Sequence, residues 1–66
     1  MRYYATQRPI MPGTIPRRSD ITDIVNFDRR TFCPEISRMA WGYVEFTNPL
    51  TQKEIDDYEL AYSPQE

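Results

Sequence analysis

The chain has no histidine and only one cysteine among its 66 residues. Without histidine, a Ser-His or Cys-His nucleophile pair cannot be assembled, and the common structural zinc sites are excluded. A lone thiol also excludes an intramolecular disulfide. Cys33 stands beside Pro34 rather than beside a base, which favours a small buried hydrophobe over a reactive thiol. We therefore predict a protein that is not an enzyme and that has no cofactor and no metal.

Long apolar runs are missing as well. No segment approaches the roughly 20 apolar residues of a membrane-spanning helix, and the opening residues MRYYA have no hydrophobic stretch of the signal-peptide kind. A single thiol suits a reducing compartment. We expect a cytoplasmic protein that does not associate with membranes.

Aromatic residues are the compensating feature, at 14% of the chain. A chain of this length buries only about 60% of its unfolded surface, so each core residue matters. Each aromatic side chain can bury about 150–250 Å², which predicts an aromatic core in one small domain over residues 1–66. Disorder is the alternative, and the mutually consistent local patterns described next argue against it.

Three segments have the composition of strands. RYYATQ, residues 2–7, pairs two tyrosines with a β-branched threonine and ends before a proline. ITDIVNF, residues 21–27, fits a helical face and an imperfect strand alternation, and its β-branched residues favour the strand. MAWGYVEFT, residues 39–47, alternates clearly; its small residues Ala40 and Gly42 are predicted to leave room for Tyr3 or Tyr4.

A C-terminal helix is predicted over residues 51–60. Thr51 can cap the helix while Glu54 reaches back to the cap amide, and Leu50 precedes the cap as a hydrophobic staple. The apolar positions that follow at spacings of three and four are Ile55, Tyr58 and Tyr62.

Residues 8–18, RPIMPGTIPRR, are rich in proline and contain no acidic residue; we call this segment the strap. Its P-x-x-P element matches the ligands of proline-binding modules poorly. The apolar residues Ile10, Met11 and Ile15 instead predict an extended segment that covers the sheet, and that can serve as a docking ledge. The predicted fold is α+β: a small three-stranded antiparallel sheet, one C-terminal helix and an extended Pro-rich strap.

Charge is distributed unevenly along the chain. Residues 1–38 carry seven arginines and four acids, a net of +3, whereas residues 39–66 carry one lysine and six acids, a net of −5. The arginines of the first 18 residues can meet RNA or DNA, bind an acidic protein surface, or pair with the acidic helix of the same chain. The overall net charge of −2 argues against nucleic acid.

We predict a non-catalytic accessory protein that binds a protein partner and modulates a host or mobile-element protein. The alternative is nucleic-acid binding through the Arg-rich N-terminal half. A homodimer that buries aromatic residues is also predicted, with the monomer as its competitor. The candidate partner-binding residues are Arg8, Met11, Arg17, Arg18, Trp41 and Tyr43.

Three stretches, YYATQRPIMPGTIP, AWGYVEF and PLTQKEIDDYEL, resemble small uncharacterised accessory proteins of conjugative and phage-like mobile elements of gut bacteria. These proteins are related to the small domains that accompany large polyvalent proteins. The resemblance covers most of the chain. It implies a setting in which accessory proteins bind host or element proteins, defence components included, and it supplies no catalytic motif.

Overall fold

Four strands and one short helix make up the fold in the computed structural model, which describes residues 1–11, 13, 15 and 18–63. In chain order these elements are β1 Arg2–Ala5, β2 Ile21–Cys33, β3 Arg38–Phe46, α1 Gln52–Asp57 and β4 Leu60–Ser63. The strands form one antiparallel sheet in the order β2-β3-β1-β4. The prediction of a three-stranded α+β domain is therefore wrong: the chain is mostly strand.

The additional strand is β4, which begins at Leu60, the residue where the helix was predicted to end. Helix α1 ends at Asp57, and Glu59 adopts a left-handed conformation, with φ 57°, that turns the chain back toward the sheet. β4 then pairs with β1 and places Tyr62 opposite Tyr3. Tyr62 therefore lies in a strand rather than on the helix, and its ring, 42% exposed, contacts that of Tyr3 with centroids 5.2 Å apart.

β2 is a strand, as the β-branched residues of 21–27 predicted, and it continues six residues further, to Cys33. It pairs with β3 as a hairpin whose turn comprises residues 34–37. The pairing is irregular, because the register shifts between Asn26 and Thr31. Extra residues in one strand bend a hairpin and strengthen its twist.

β1 is the centre of the core, because it pairs with β3 on one side and β4 on the other. Tyr3 and Tyr4 are each only 2% exposed, so the predicted aromatic core is confirmed. The ring of Tyr3 meets Phe46 edge to face at 5.5 Å, and its hydroxyl accepts a hydrogen bond from the Leu50 backbone amide at 2.8 Å. β1 is thereby joined to the loop that precedes α1.

Gly42 does not receive a tyrosine, contrary to the sequence-based expectation. The space above it holds the backbone of β2: a Cβ atom added at Gly42 would lie 2.2 Å from the Val25 carbonyl oxygen and 2.9 Å from the Asn26 Cα. The two strands approach each other more closely here than any side chain on β3 would permit.

The described part of the strap lies against the sheet, as predicted, through Ile10 and Ile15. The side chain of Asn26 holds it there: the Ile10 amide donates to Asn26 Oδ1 at 2.9 Å, and Asn26 Nδ2 donates to the Ile10 carbonyl at 2.8 Å. Met11 departs from the expectation because its side chain is 57% exposed. The second proline of the P-x-x-P element, Pro12, lies outside the described residues.

The predicted start of the helix is confirmed. The Thr51 side chain accepts a hydrogen bond from the Glu54 amide at 3.2 Å, and Glu54 Oε1 accepts one from the Thr51 amide at 2.9 Å. The main cluster of buried residues in the core comprises Tyr3, Ala5, Ile10, Val44, Phe46, Leu50 and Leu60. Leu50 is the staple residue, and Ile55 packs against this cluster.

A second, smaller cluster of buried residues comprises Tyr4, Cys33 and Ala40. Tyr4 Oη donates a hydrogen bond to Glu35 in the hairpin turn, and this bond lowers the pKa of the Glu35 carboxyl. Burial raises the pKa of the Cys33 thiol, in agreement with the prediction that Cys33 is a buried hydrophobe.

Candidate protein-binding surface

The N-terminal arginines were the first candidates for partner contact, and the structure pairs several of them within the chain. Arg2 lies opposite Glu45 in the β1–β3 pairing, and its Nε donates to Glu45 Oε1 at 2.6 Å. Its guanidinium carbon is 4.0 Å from the ring centroid of Tyr43. Stacking and ion pairing both hold the guanidinium on the sheet.

Arg18 makes a two-pronged contact with Asp20, from Nε at 2.9 Å and from Nη2 at 2.8 Å. Its Nη1 also donates to Glu54 Oε2 at 2.7 Å, which ties the end of the strap to α1. The hydrogen bond with Asp20 is the main reason that the pKa of Arg18 is raised. The Thr51 amide and then the charge of Arg18 lower the pKa of the Glu54 carboxyl.

Arg8 forms an ion pair with Glu59, the residue that turns the chain between α1 and β4. Both side chains are substantially exposed, so the pair adds little stability. Arg17 lies outside the described residues. Of the open alternatives for the arginines, pairing with the acidic helix describes Arg18, which binds Glu54, whereas Arg2 and Arg8 pair with Glu45 of β3 and with Glu59 beyond α1.

The remaining candidates differ in accessibility. Tyr43 is half-buried: it packs on Tyr4 with ring centroids 5.7 Å apart, and Arg2 lies over its ring. Trp41 is half-buried, and Met11 is exposed.

The candidates do not form one continuous surface. Arg8 and Arg18 contact acids beside α1, and the Arg18 guanidinium lies 5.4 Å from the ring of Phe46. Tyr43 projects from the opposite face of β3, because its neighbour Val44 belongs to the main cluster and side chains alternate along a strand. Partner contact through all the candidates would therefore require a partner that reaches both faces of the sheet.

Sequence reasoning missed an exposed group at the end of the β2–β3 hairpin, which we call the hairpin patch. Phe32 pairs directly with Met39, and their side chains are 56% and 37% exposed. The other members of the patch are the exposed arginines Arg29 and Arg30. The sequence RRTFC contains a signal for this patch, because two adjacent arginines precede the alternating residues Thr31, Phe32 and Cys33. The signal was missed because the strand was predicted to end at residue 27.

Over the residues that the structure describes, no three His, Cys, Asp or Glu side chains converge in a way that could hold a metal ion. Within the same residues, no helix has both the length and the apolarity that crossing a membrane would require.

The fold and surface define a small antiparallel β domain in which carboxylates of the chain form ion pairs with several of its arginines. The model of one protein family, described as defence against restriction A C-terminal, matches residues 1–65, and the chain belongs to this family. No curated protein and no solved structure matches the chain. The family is associated with phages and other mobile elements, which confirms that part of the predicted resemblance; an origin in gut bacteria stays a prediction.

Proposed function

We propose that the chain is a non-catalytic, protein-binding accessory domain that acts in the defence of a mobile element against restriction by modulating a host or element protein. Membership of the defence against restriction A C-terminal family supplies the setting. The observation that carries the protein-binding part is the exposure of large apolar side chains, chiefly Met11, Phe32 and Ile24 at 57%, 56% and 49%. Methionine and aromatic residues are enriched at the centres of protein interfaces.

Nucleic-acid binding through the N-terminal arginines has less support. Arg2, Arg8 and Arg18 each contact a carboxylate of the chain, so a phosphate would have to displace an ion pair to reach them. Counterion release, which supplies most of the affinity for nucleic acid, requires uncompensated cationic side chains.

For the protein-binding function, we propose Met11 and Trp41 as the principal contact residues of this chain. The arginines at positions 8, 17 and 18 and Tyr43 are further proposed contacts. Met11 is exposed and Trp41 is half-buried, so both can meet a partner without any change of fold.

Site-specific photo-crosslinking in cells that carry the mobile element tests this proposal. The photoreactive amino acid benzoylphenylalanine replaces Met11 or Trp41 in separate variants, and the exposed Thr47 provides the matched control. We expect a discrete protein adduct from positions 11 or 41 and none from position 47. Adducts that nuclease removes, or the absence of an adduct at both test positions, would contradict protein binding.

Self-association is a second form of protein binding, and we propose a two-fold dimer centred on Trp41, which is half-buried. The neighbouring Tyr43 ring is partly covered by Arg2. Light scattering over a hundredfold range of concentration should show the mass rising toward twice the 7.9 kDa of the chain. A constant mass of one chain throughout would show that the domain is a monomer.

A further inference from the structure

The hairpin patch combines apolar exposure with positive charge at one end of the sheet. Phe32 and Met39 are cross-strand partners, and the next residue along each strand, Cys33 and Ala40, is buried in the second cluster. Because side chains alternate along a strand, Phe32 and Met39 project away from that cluster and into solvent. By the same alternation Arg38, the cross-strand partner of Cys33, projects to the opposite face from Met39, so the charge beside the apolar pair comes from Arg29 and Arg30 in β2.

The arginines of the patch differ from Arg2 and Arg18 in having no carboxylate partner. Over the residues that the structure describes, no ion pair involves Arg29 or Arg30, although Asp28 adjoins Arg29 in the chain. Glu35, the nearby acid of the turn, is hydrogen-bonded to Tyr4. The patch is therefore a site of uncompensated positive charge on a chain of net charge −2.

The free edge of β2 is partly closed to a partner strand. The Asp23 carboxylate accepts a hydrogen bond from the Ile24 amide at 3.0 Å, and the Thr31 hydroxyl donates to the Arg29 carbonyl at 2.8 Å. The irregular register between Asn26 and Thr31 further separates the two stretches of regular pairing. Bulges and locally satisfied backbone groups are devices that oppose strand addition at a sheet edge. A partner of the patch thus meets side chains rather than backbone.

We propose that the hairpin patch binds an acidic protein segment that carries an apolar anchor side chain. Carboxylates of the segment pair with Arg29 and Arg30, and its anchor packs on Phe32 and Met39. Arginine forms two-pronged hydrogen bonds with carboxylates, and a central apolar contact with a charged rim is the usual arrangement of a protein interface. This inference rests on the proposed protein-binding function and names the surface and partner chemistry that serve it.

Charge and shape favour a short acidic segment over nucleic acid. Two arginines neutralise at most two phosphates, which limits the dependence of log affinity on log salt to a slope of about −1.4 for a single strand. Single-stranded nucleic acid also needs successive aromatic rings for stacking, and in this patch Phe32 is accompanied by Met39, which has no ring. The few charges of an acidic segment match the patch, whereas the chain's net negative charge repels a long polyanion.

Fluorescence anisotropy with defined probes tests the proposal on the whole chain. The first probe is the labelled acidic peptide EEDLFEEFLDEE. Its controls are the same peptide with every acid replaced by lysine, the same peptide with Leu and Phe replaced by serine, and an oligodeoxythymidine of equal length. We expect the acidic apolar peptide to bind more tightly than all three controls.

Substitutions then locate the binding. Arg29→Gln and Arg30→Gln should each weaken binding of the acidic peptide about threefold to fivefold, as expected for an exposed charge pair. Phe32→Ser should weaken it about tenfold through the lost apolar contact. Lys53→Gln is the matched control, because it removes one positive charge from an exposed side chain of α1 outside the patch, and it should leave the affinity unchanged. All four positions are on the surface, and an unchanged circular dichroism spectrum verifies the fold of each variant.

Two results would overturn the proposal: equal affinity for the acidic and lysine peptides, or tighter binding of oligodeoxythymidine that the Arg29 and Arg30 substitutions weaken. An equal loss of affinity in Lys53→Gln and Arg30→Gln would also overturn it, by showing nonspecific attraction. These failures are distinct from failure of the proposed function, because protein adducts from position 11 or 41 in cells would still establish protein binding through another surface.

Discussion

Replacing Gly42 with alanine tests the closest backbone approach in the sheet. The added Cβ would lie 2.2 Å from the Val25 carbonyl oxygen and 2.9 Å from the Asn26 Cα, both of which are backbone atoms. Neither can rotate away as a flexible side chain would, so β2 has to move by about 1 Å to restore ordinary contact distances. That movement displaces Asn26, whose side chain holds the strap at Ile10.

The expected loss of stability follows from these contacts. Overpacking of this kind costs about 1–3 kcal/mol, and weakening the two hydrogen bonds of Asn26 adds about 1 kcal/mol each. The smaller conformational freedom of alanine in the unfolded chain offsets about 0.5–1 kcal/mol. We expect a net loss of about 3 kcal/mol, which is most of the stability available to a domain of this length.

Urea and thermal denaturation, monitored by circular dichroism and by Trp41 fluorescence, measure this loss. The expected fall in melting temperature is about 15 °C, given about 4–8 °C per kcal/mol for a small domain. Gly13→Ala is the matched control: its φ is 93°, but no atom lies within 4 Å of the added Cβ, so only backbone strain of about 1 kcal/mol applies. If Gly42→Ala costs no more than Gly13→Ala, the close approach of β2 to β3 is refuted.

Four further outcomes are expected from denaturation experiments. Asn26→Ala should destabilise the domain by about 2 kcal/mol through its two hydrogen bonds to the strap, whereas the exposed Asn48→Ala should change stability by less than about 0.5 kcal/mol; equal effects would contradict the anchoring role. Thr51→Ala should cost about 1 kcal/mol through the lost helix cap, and an unchanged melting temperature would show that the cap has no effect on stability. Because the folded chain lowers the pKa of Glu54, the stability contributed by this carboxylate is present above its ordinary pKa of 4.5 and is lost as the pH falls; urea titrations at about pH 7 and pH 3 should show a smaller difference in Glu54→Gln than in the unaltered chain. Ser63→Ala should raise the melting temperature, since its fully buried hydroxyl has no hydrogen-bond partner among the described residues, and a lower value would indicate that the hydroxyl does stabilise the fold.

The proposed binding surface shows the limit of reading charge from sequence. Arg2 and Arg18 belong to an acid-free N-terminal run, yet Arg2 binds Glu45, 43 residues away in the chain, and Arg18 binds Glu54, 36 residues away, as well as its neighbour Asp20. Arg29 and Arg30 lie between acidic residues in sequence, yet they have no ion pair in the described structure. The arginines available to a partner are therefore Arg29 and Arg30, although the acidic residues near them in the sequence make them look less available than the N-terminal arginines.

Local interactions made the start of α1 and strand β3 predictable. The helix cap joins Thr51 to Glu54, three residues apart, so its hydrogen bonds depend on little beyond those residues. β3 follows its own alternation, with buried and more exposed residues succeeding one another from Ala40 to Phe46. The residues that form each of these patterns all belong to one helix or one strand, so the sequence alone determined the start of α1 and the alternation of β3.

Tertiary structure alone decided β4, the full length of β2 and the surroundings of Gly42. The LAYS segment of β4 has too few residues to show a period, and it becomes a strand because β1 offers backbone partners to it. The space above Gly42 is filled by β2 because the hairpin is irregular there. Strand pairing and ion pairing join residues distant in the chain, so their geometry exists only when the whole sheet has assembled.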